Sequence, residues 1–454
     1  MAKKLYRCLD CNVISEMKKC PVCGETMEKF KAKEKAKAKS DGIRRFPRLL
    51  TAESKDQSRV IKLIESKTDD FGCPGQVTEV VSGPVLTEYQ FTPDRFTRYK
   101  RLKTLHEDLA IALEAESVSV LRIPGKAAVS VSVPRKERKE VTFAETLPNV
   151  FKHRSDMEVP VDFGITSRGE PFFEDLATLP HLLIAGSTGA GKSVLVNSIL
   201  TSLLYIRTPK ELKMILVDPK AVELMPYKGL PHLKEDPIID AYYAFSSMEA
   251  LEQEMHRRMS FLHVAKVKNL KEFNDKMRAE KRPEDILPRV LFVIDELAEL
   301  VNREKKIFTK LMTAISSMAR AAGIHVIAAT QRPSVDILSG KIKVNFPARL
   351  GLRVPGTTDS RTIFGRQGCE QLLGRGDMLY SSPNRPSMIR LHSPHCKTED
   401  LNRVKDLGLA FGAENNCPAD FLAPDGVTIK KEFQKQFAEW KGKQPKPIQP
   451  AQVK

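Results

Sequence analysis

HLLIAGSTGAGKSVLVNS, residues 181–198, runs from an apolar stretch through a glycine-rich turn into the start of a helix. Its middle, GSTGAGKS at 186–193, matches G-x-x-x-x-G-K-[ST] in full. Gly186, Gly189 and Gly191 let backbone N–H groups turn inward around phosphate oxygens with no Cβ in the way. Ser187, Thr188 and Ala190 complete that cradle. The helix beginning near Lys192 adds its positive N-terminal end. Lys192 is placed to reach the β- and γ-phosphates, and the Ser193 hydroxyl to ligate Mg²⁺.

The next informative stretch is RVLFVIDELAEL, residues 289–300. Its apolar run reads as a strand that delivers Asp295 and Glu296 to a C-terminal end, where open α/β sheets bind ligands. Asp295 is expected to hold the Mg²⁺ shell and Glu296 to polarise an attacking water as general base. An acid pair at a strand end can also be a solvated edge; the phosphate loop upstream gives it a use. The adjacent glutamate favours a water-hydrolysing ATPase over a slow GTPase switch, and no guanine-reading N-K-x-D is present.

Two more apolar runs, LKMILVDPK and IHVIAATQRPS, alternate with helical stretches such as MEALEQEMHRRMSFLHVA. Near-continuous apolar strands between helices predict a parallel sheet covered on both faces. Gln331 then sits at the end of a strand that can lie beside the phosphate loop, where a polar group can contact a γ-phosphate or the lytic water. The fold class is α/β, a RecA-like P-loop ATPase core in which one subunit often completes a neighbour's site.

Before it, residues 59–147 read as a small α+β domain. VIKLIES is helical, and QVTEVVSGPVLTEYQFTP is a hairpin around a Ser-Gly-Pro turn. LKTLHEDLAIALEAESV is read as one amphipathic helix with Leu102, Leu105, Leu109, Ile111 and Leu113 on its apolar face. SVLRIPG and AAVSVSVP are strands. The core is assigned to 148–425, a basic linker to 30–58 and a polar Pro/Lys-rich tail to 426–454.

The 454-residue chain is 41% hydrophobic and 29% charged, so it can bury a sizeable core and is not disordered as a whole. Its formal net charge is +17, but residues 1–50 alone hold 14 Lys/Arg against 6 Asp/Glu, and 428–454 hold 7 against 2. The excess at the ends reads as basic arms for a polyanion or as solubilising tails. No apolar run approaches the ~18 residues of a bilayer span, and MAKKLYRCLD lacks a signal segment. A soluble, cytoplasmic protein without membrane insertion is expected.

DPKAVEL, VIDELAEL, MARAAGIHVIAATQRPSVDILSGKIKVNFPARLG, DSRTIFG and LLGRGDMLYSSP, in that order, closely resemble the motor domain of the FtsK/SpoIIIE DNA translocases. FGCPGQVTEVVSGPVLTEYQF and LAIALEAESVSVLRIPGK resemble that family's small α domain. The resemblance spans about residues 59–395. It implies a homo-oligomeric ring, a hexamer, that hydrolyses ATP to move double-stranded DNA. It implies that Arg320 acts in trans on the next subunit's γ-phosphate, a role suited to a guanidinium; the alternative is a helix-surface salt bridge. Arg332 and Lys343 match loop positions facing the DNA channel, with solvated loop charge as the alternative. Thr357 stands where many members carry a lysine. Neither the family's membrane region nor its winged-helix domain is expected in this chain. Two other functions stay open: an ATPase of this fold powering protein secretion, and a zinc-ribbon adaptor with a scaffold ATPase core.

Cys8-x2-Cys11-x8-Cys20-x2-Cys23 forms two knuckles at residues 1–29. Four thiolates at this spacing suit a closed tetrahedral Zn²⁺ site of structural type; four reduced thiols are the alternative. The ribbon is a candidate docking module for DNA or a protein partner.

Overall fold

The computed structural model describes residues 55–405, except Pro124 and Pro180, and three two-residue strands nearer the N-terminus. Those strands, β1 (Tyr6–Arg7), β2 (Ile14–Ser15) and β3 (Glu28–Lys29), pair antiparallel in the order β2-β1-β3 and belong to a separate compact unit. Cys8, Cys11, Cys20 and Cys23 lie outside the described residues, as do most of the linker and the tail.

The second unit opens with α1 (Lys55–Asp70) and the expected hairpin, β4 (Gly75–Ser82) and β5 (Leu86–Pro93). Then come α2 (Tyr99–Thr104), α3 (His106–Ala112), β6 (Ser119–Arg122) and β7 (Val129–Pro134), giving a sheet ordered β4-β5-β7-β6. Ile61, Ile64, Phe91, Leu109 and Val131 fill its core. The single helix expected across 102–113 is two. The chain leaves helical geometry at Leu105 (φ −79°, ψ 4°), whose N–H bonds to the Leu102 carbonyl. Leu102, Leu105 and Leu109 still face inward together, whereas Ile111, expected on the apolar face, lies nine residues from Leu102 and so half a turn round from it, and is 79% exposed.

After α4 (Phe143–Lys152), which packs on the larger sheet, come β8 (Pro160–Thr166), β9 (Pro171–Asp175) and β10 (His181–Ala185). The chain continues through α5 (Lys192–Ile206), β11 (Leu212–Val217), α6 (Ala241–Ala265), α7 (Leu270–Ala279), β12 (Arg289–Ile294) and α8 (Leu297–Ala322). It ends with β13 (Ile324–Thr330), α9 (Gly340–Val344), β14 (Ala348–Leu352), α10 (Thr357–Phe364), β15 (Asp377–Ser382) and β16 (Arg385–His392). The sheet order is β11-β12-β13-β10-β14-β15-β16-β8-β9. The first five strands are parallel, as the apolar runs predicted. The other four join antiparallel, an extension the periodicity did not reveal. β15 and β16 are linked by a tight turn, which only antiparallel neighbours can use.

β10 shows why its run reads as continuously apolar. Leu183 and Ala185 pack against α6 and α8, while Leu182 and Ile184 pack against α5 on the opposite face. Each leucine or isoleucine among them, fully buried, contributes about 1.5–3 kcal/mol. Among the described residues, no helix is long and apolar enough to cross a membrane.

Candidate nucleotide site

The phosphate loop leaves β10 and enters α5 at its left-handed N-cap, Gly191 (φ 103°). A Cβ there would sit 2.5 Å from the Gly376 nitrogen, so glycine is required by the backbone and by its neighbour. Gly189 (φ 77°) makes the other reversed turn. Two partners hold the loop open: the Ser187 N–H donates to the Arg353 carbonyl (2.9 Å), and the Gly376 N–H donates to the Ala190 carbonyl (2.8 Å). A cleft of ≈ 610 Å³ lies over it, walled by Lys192, Ser193, Gln331, Arg375, His392 and the 138–141 connection.

β13 lies between β10 and β12, which brings the strand-end residues into one cluster. Lys192 Nζ donates to the Asp295 carboxylate and to its carbonyl, both at 2.7 Å, and both side chains are buried. Glu296 is the N-cap of α8. Its carboxylate accepts from the Thr330 hydroxyl (2.7 Å) and the Gln331 N–H (3.1 Å), with Lys220 Nζ 3.6 Å away. The Gln331 side-chain oxygen accepts from the Thr188 hydroxyl (2.9 Å), which ties the β13 end to the phosphate loop.

Two acids joined to this cluster escaped sequence reading. Asp218 ends β11 as Asp295 ends β12, and one of its oxygens accepts from the Val222 and Leu224 N–H groups at 2.9 Å. Glu223 accepts from the Ser193 hydroxyl at 2.7 Å. An apolar strand ending in Asp is the same signal that singled out Asp295, so Asp218 was findable in LKMILVDPK. Arg375 is the third omission. It stands at φ 50° between Gly374 (83°) and Gly376 (89°), a reversed stretch that puts its exposed side chain on the cleft wall. Backbone held this way in a non-glycine residue is concentrated at ligand sites.

Burial pushes the Asp295 carboxyl above its ordinary range; Lys192 opposes this, and the charges of Asp218 and Glu223 add to it. Asp295 and Asp218 each keep one buried oxygen without a hydrogen-bond partner. Orphaned carboxylate oxygens around a serine hydroxyl fit a hard, oxygen-seeking cation. Among the described residues no group of three or more His, Cys, Asp or Glu forms a ready metal cage.

The remaining predicted residues lie elsewhere. Arg320 is exposed in the last turn of α8, before β13 begins, whereas Gln331 follows its end. Seven residues of strand separate those ends by roughly 23 Å, so Arg320 cannot reach its own chain's phosphate loop. It lines a groove with Lys271 and Arg289. Arg332 is exposed just past β13. Lys343 is half-buried, and its Nζ donates to the Thr362 carbonyl (3.1 Å).

The FtsK/SpoIIIE family model matches residues 145–335, and the FtsK alpha domain model matches 47–135. A DNA translocase FtsK of Staphylococcus aureus is 38% identical over 384 residues, 83% of this chain and 48% of the relative. DNA translocase SpoIIIE of Bacillus subtilis is 37% identical over 362 residues, 78% of this chain and 46% of the relative. The chain thus spans about half the length of the curated relatives it matches. Among solved structures, the pCW3 conjugation coupling protein TcpA superposes with TM-score 0.53 at 21% identity, covering 78% of this chain and 99% of that one. The cytoplasmic domain of the type VII secretion ATPase EccC of Thermomonospora curvata gives 0.52 at 24%, covering 60% and 34%. These two likenesses speak to the fold. The family rests on the two matched segments, which hold the small sheet, the phosphate loop and the acidic strand ends, and on identity sustained through both: the chain belongs to the FtsK/SpoIIIE family.

Proposed function

We propose that the chain is an ATP-driven translocase of double-stranded DNA that works as a hexameric ring. The observation that carries this reading is the single cluster formed by the phosphate loop, Asp295, Glu296 and Gln331 in a chain 38% identical to proteins named DNA translocases. In it the loop N–H groups and Lys192 hold the triphosphate, and Lys192 must leave Asp295 to do so. Ser193 and Asp295, with Asp218 and Glu223 beside them, would hold Mg²⁺, which neutralises charge on the β- and γ-oxygens when bound. Glu296, fixed by Thr330 and Gln331, takes the proton of the attacking water. Gln331 bridges to Thr188, so departure of a γ-phosphate alters the start of segment 331–345. That segment carries Arg332 and Lys343, the candidate contacts for the DNA backbone, and Lys343 must release Thr362 to serve. Contacts to phosphates rather than bases suit a motor that accepts any sequence.

The test is ATP turnover with and without long duplex DNA. Several-fold stimulation by duplex and none by unfolded polypeptide is the expected result. Stimulation by polypeptide alone would point to protein transport, and indifference to both would point to a scaffold.

Arg320 is proposed to act on the neighbouring subunit's nucleotide; its distance from its own phosphate loop supports this. Arg320→Ala and Glu296→Gln chains, each inactive alone, should regain turnover when mixed, since roughly a quarter of the interfaces in an equal mixture are then intact. No recovery in rings shown to be mixed would rule the trans role out.

Cys8, Cys11, Cys20 and Cys23 are proposed to hold a structural Zn²⁺ in a DNA- or protein-docking ribbon, on the strength of their spacing. Metal analysis should find about one zinc per chain, absent from Cys20→Ser/Cys23→Ser. A zinc-free wild-type protein purified without chelator would overturn it.

A further inference from the structure

Basic side chains from the four-stranded sheet's side and from the core meet at the seam between the two. Lys103, on α2, donates to the Gln367 carbonyl (3.3 Å), and the Ser117 hydroxyl donates to the Gln371 carbonyl (2.7 Å). Segment 365–371 of the core is thereby held against α2 and the approach to β6. The same helix, which begins at Tyr99, packs against β6, which ends at Arg122. Four cations converge on this seam: Lys103 and Arg122 from the small sheet's side, Arg361 from α10 and Arg366 from the loop after it. The side chains of Arg122, Arg361 and Arg366 are exposed and make no hydrogen bond or ion pair with the described residues.

Burial holds the Lys103 ammonium below the usual lysine range; the nearby Glu370 opposes this, while Arg361 and Arg366 add to it. Glu370 is the one acid in that set, and its carboxylate also accepts from the Gly368 N–H (2.8 Å). The sequence leading into the seam is similarly one-signed: RFTRYKRLK, residues 95–103, has five Lys/Arg and no Asp/Glu. Such a cluster repels itself, and a bound polyanion relieves that repulsion. Three of the four converging groups are arginines, whose planar fork matches phosphate oxygens.

We propose that this seam is a second contact for the duplex phosphate backbone, distinct from Arg332 and Lys343, through which the small domain grips DNA while the core moves it. The proposal rests on the translocase reading and adds to it a site on the small domain's own border. None of the four residues belongs to the nucleotide cluster, so their removal should leave DNA-independent ATP turnover unchanged.

The experiment is titration of a labelled mixed-sequence duplex, by fluorescence anisotropy, with the full-length wild type and with Arg122→Glu/Arg366→Glu, between about 50 and 200 mM salt. The slope of log K against log salt should become shallower in the variant by about 0.9 for each phosphate that the protein no longer neutralises. Arg122→Ala and Arg366→Gln singly, milder and checked for native circular dichroism, should each show part of that change. An unchanged slope and affinity in folded variants overturns the proposal and leaves the translocase intact. An unchanged slope with loss of assembly in sedimentation also overturns it, and assigns the seam to a neighbouring copy. A wild type that binds no duplex at all removes the translocase reading and this DNA grip with it.

Discussion

Lys192→Ala should lower ATP turnover on the order of 10²–10³-fold or more, the scale lost with one preorganised donor to developing phosphoryl charge. The structure adds a second, separable consequence. In the structure Lys192 is the partner of Asp295, with both side chains buried and 2.7 Å apart. Removing the ammonium leaves an unpaired carboxylate in a place whose burial already pushes its pKa up. Breaking a buried pair from one side costs about 3–5 kcal/mol, so the variant should also melt at a lower temperature. The sign of its pH dependence follows from the raised pKa. Asp295 takes up a proton more readily in the folded state, so the variant's stability deficit shrinks as pH falls and grows as pH rises through the folded pKa. Adding Asp295→Asn removes the stranded charge. The double variant should recover much of the melting temperature and none of the turnover. Wild-type turnover in Lys192→Ala would take the phosphate loop out of the mechanism. A normal melting temperature in the single variant would instead show that the pair contributes nothing to stability.

What the sequence disclosed and what it concealed divide along physical lines. β10 to β13 were legible because each is buried on both faces, and a run such as VLFVI cannot be anything wet. The site residues were legible for a related reason: chemistry at the C-terminal ends of parallel strands follows immediately after such a run, as Asp295 and Gln331 do. Asp218 carries the same mark and was passed over because DPK lacks the acid pair that made DE stand out. The antiparallel half of the sheet was hidden. β15 and β16 mix polar and apolar residues, and Asp377 and Arg390 form a buried ion pair between them at 2.6 Å that reads from sequence as ordinary surface charge. The break at Leu105 was hidden because helical spacing of leucines is kept across it. The seam cations could not be found by periodicity at all, since Lys103 and Arg366 are brought together only by tertiary packing.

Glu296→Gln should bind ATP with little loss and hydrolyse it about 10²–10⁴-fold more slowly, the range assigned to a positioned general base. The competing account is structural. Glu296 caps α8, accepting from the Ala298 N–H (3.3 Å), and an N-cap contributes about 0.5–2 kcal/mol to stability. Glutamine separates the two. Its remaining oxygen, kept at the Oε1 position, can still accept from the Ala298 N–H, the Thr330 hydroxyl and, at 3.3 Å, the Gln331 N–H, while its amide takes the Oε2 position and gives up only the shorter Gln331 bond. The cap and the strand-end bonds therefore survive with a small change in melting temperature, whereas an amide cannot take a proton from water. Among the described residues Glu296 makes no hydrogen bond or ion pair with the phosphate loop, which the Ser187–Arg353 and Gly376–Ala190 bonds hold independently, so nucleotide affinity should be retained. Single-turnover hydrolysis and nucleotide titration on the same preparation decide the matter. Loss of stability with hydrolysis preserved assigns Glu296 to the helix. Loss of hydrolysis with binding and folding preserved assigns it to the water, and ties ATP cleavage to the strand end from which Gln331 leads into the segment proposed to hold DNA.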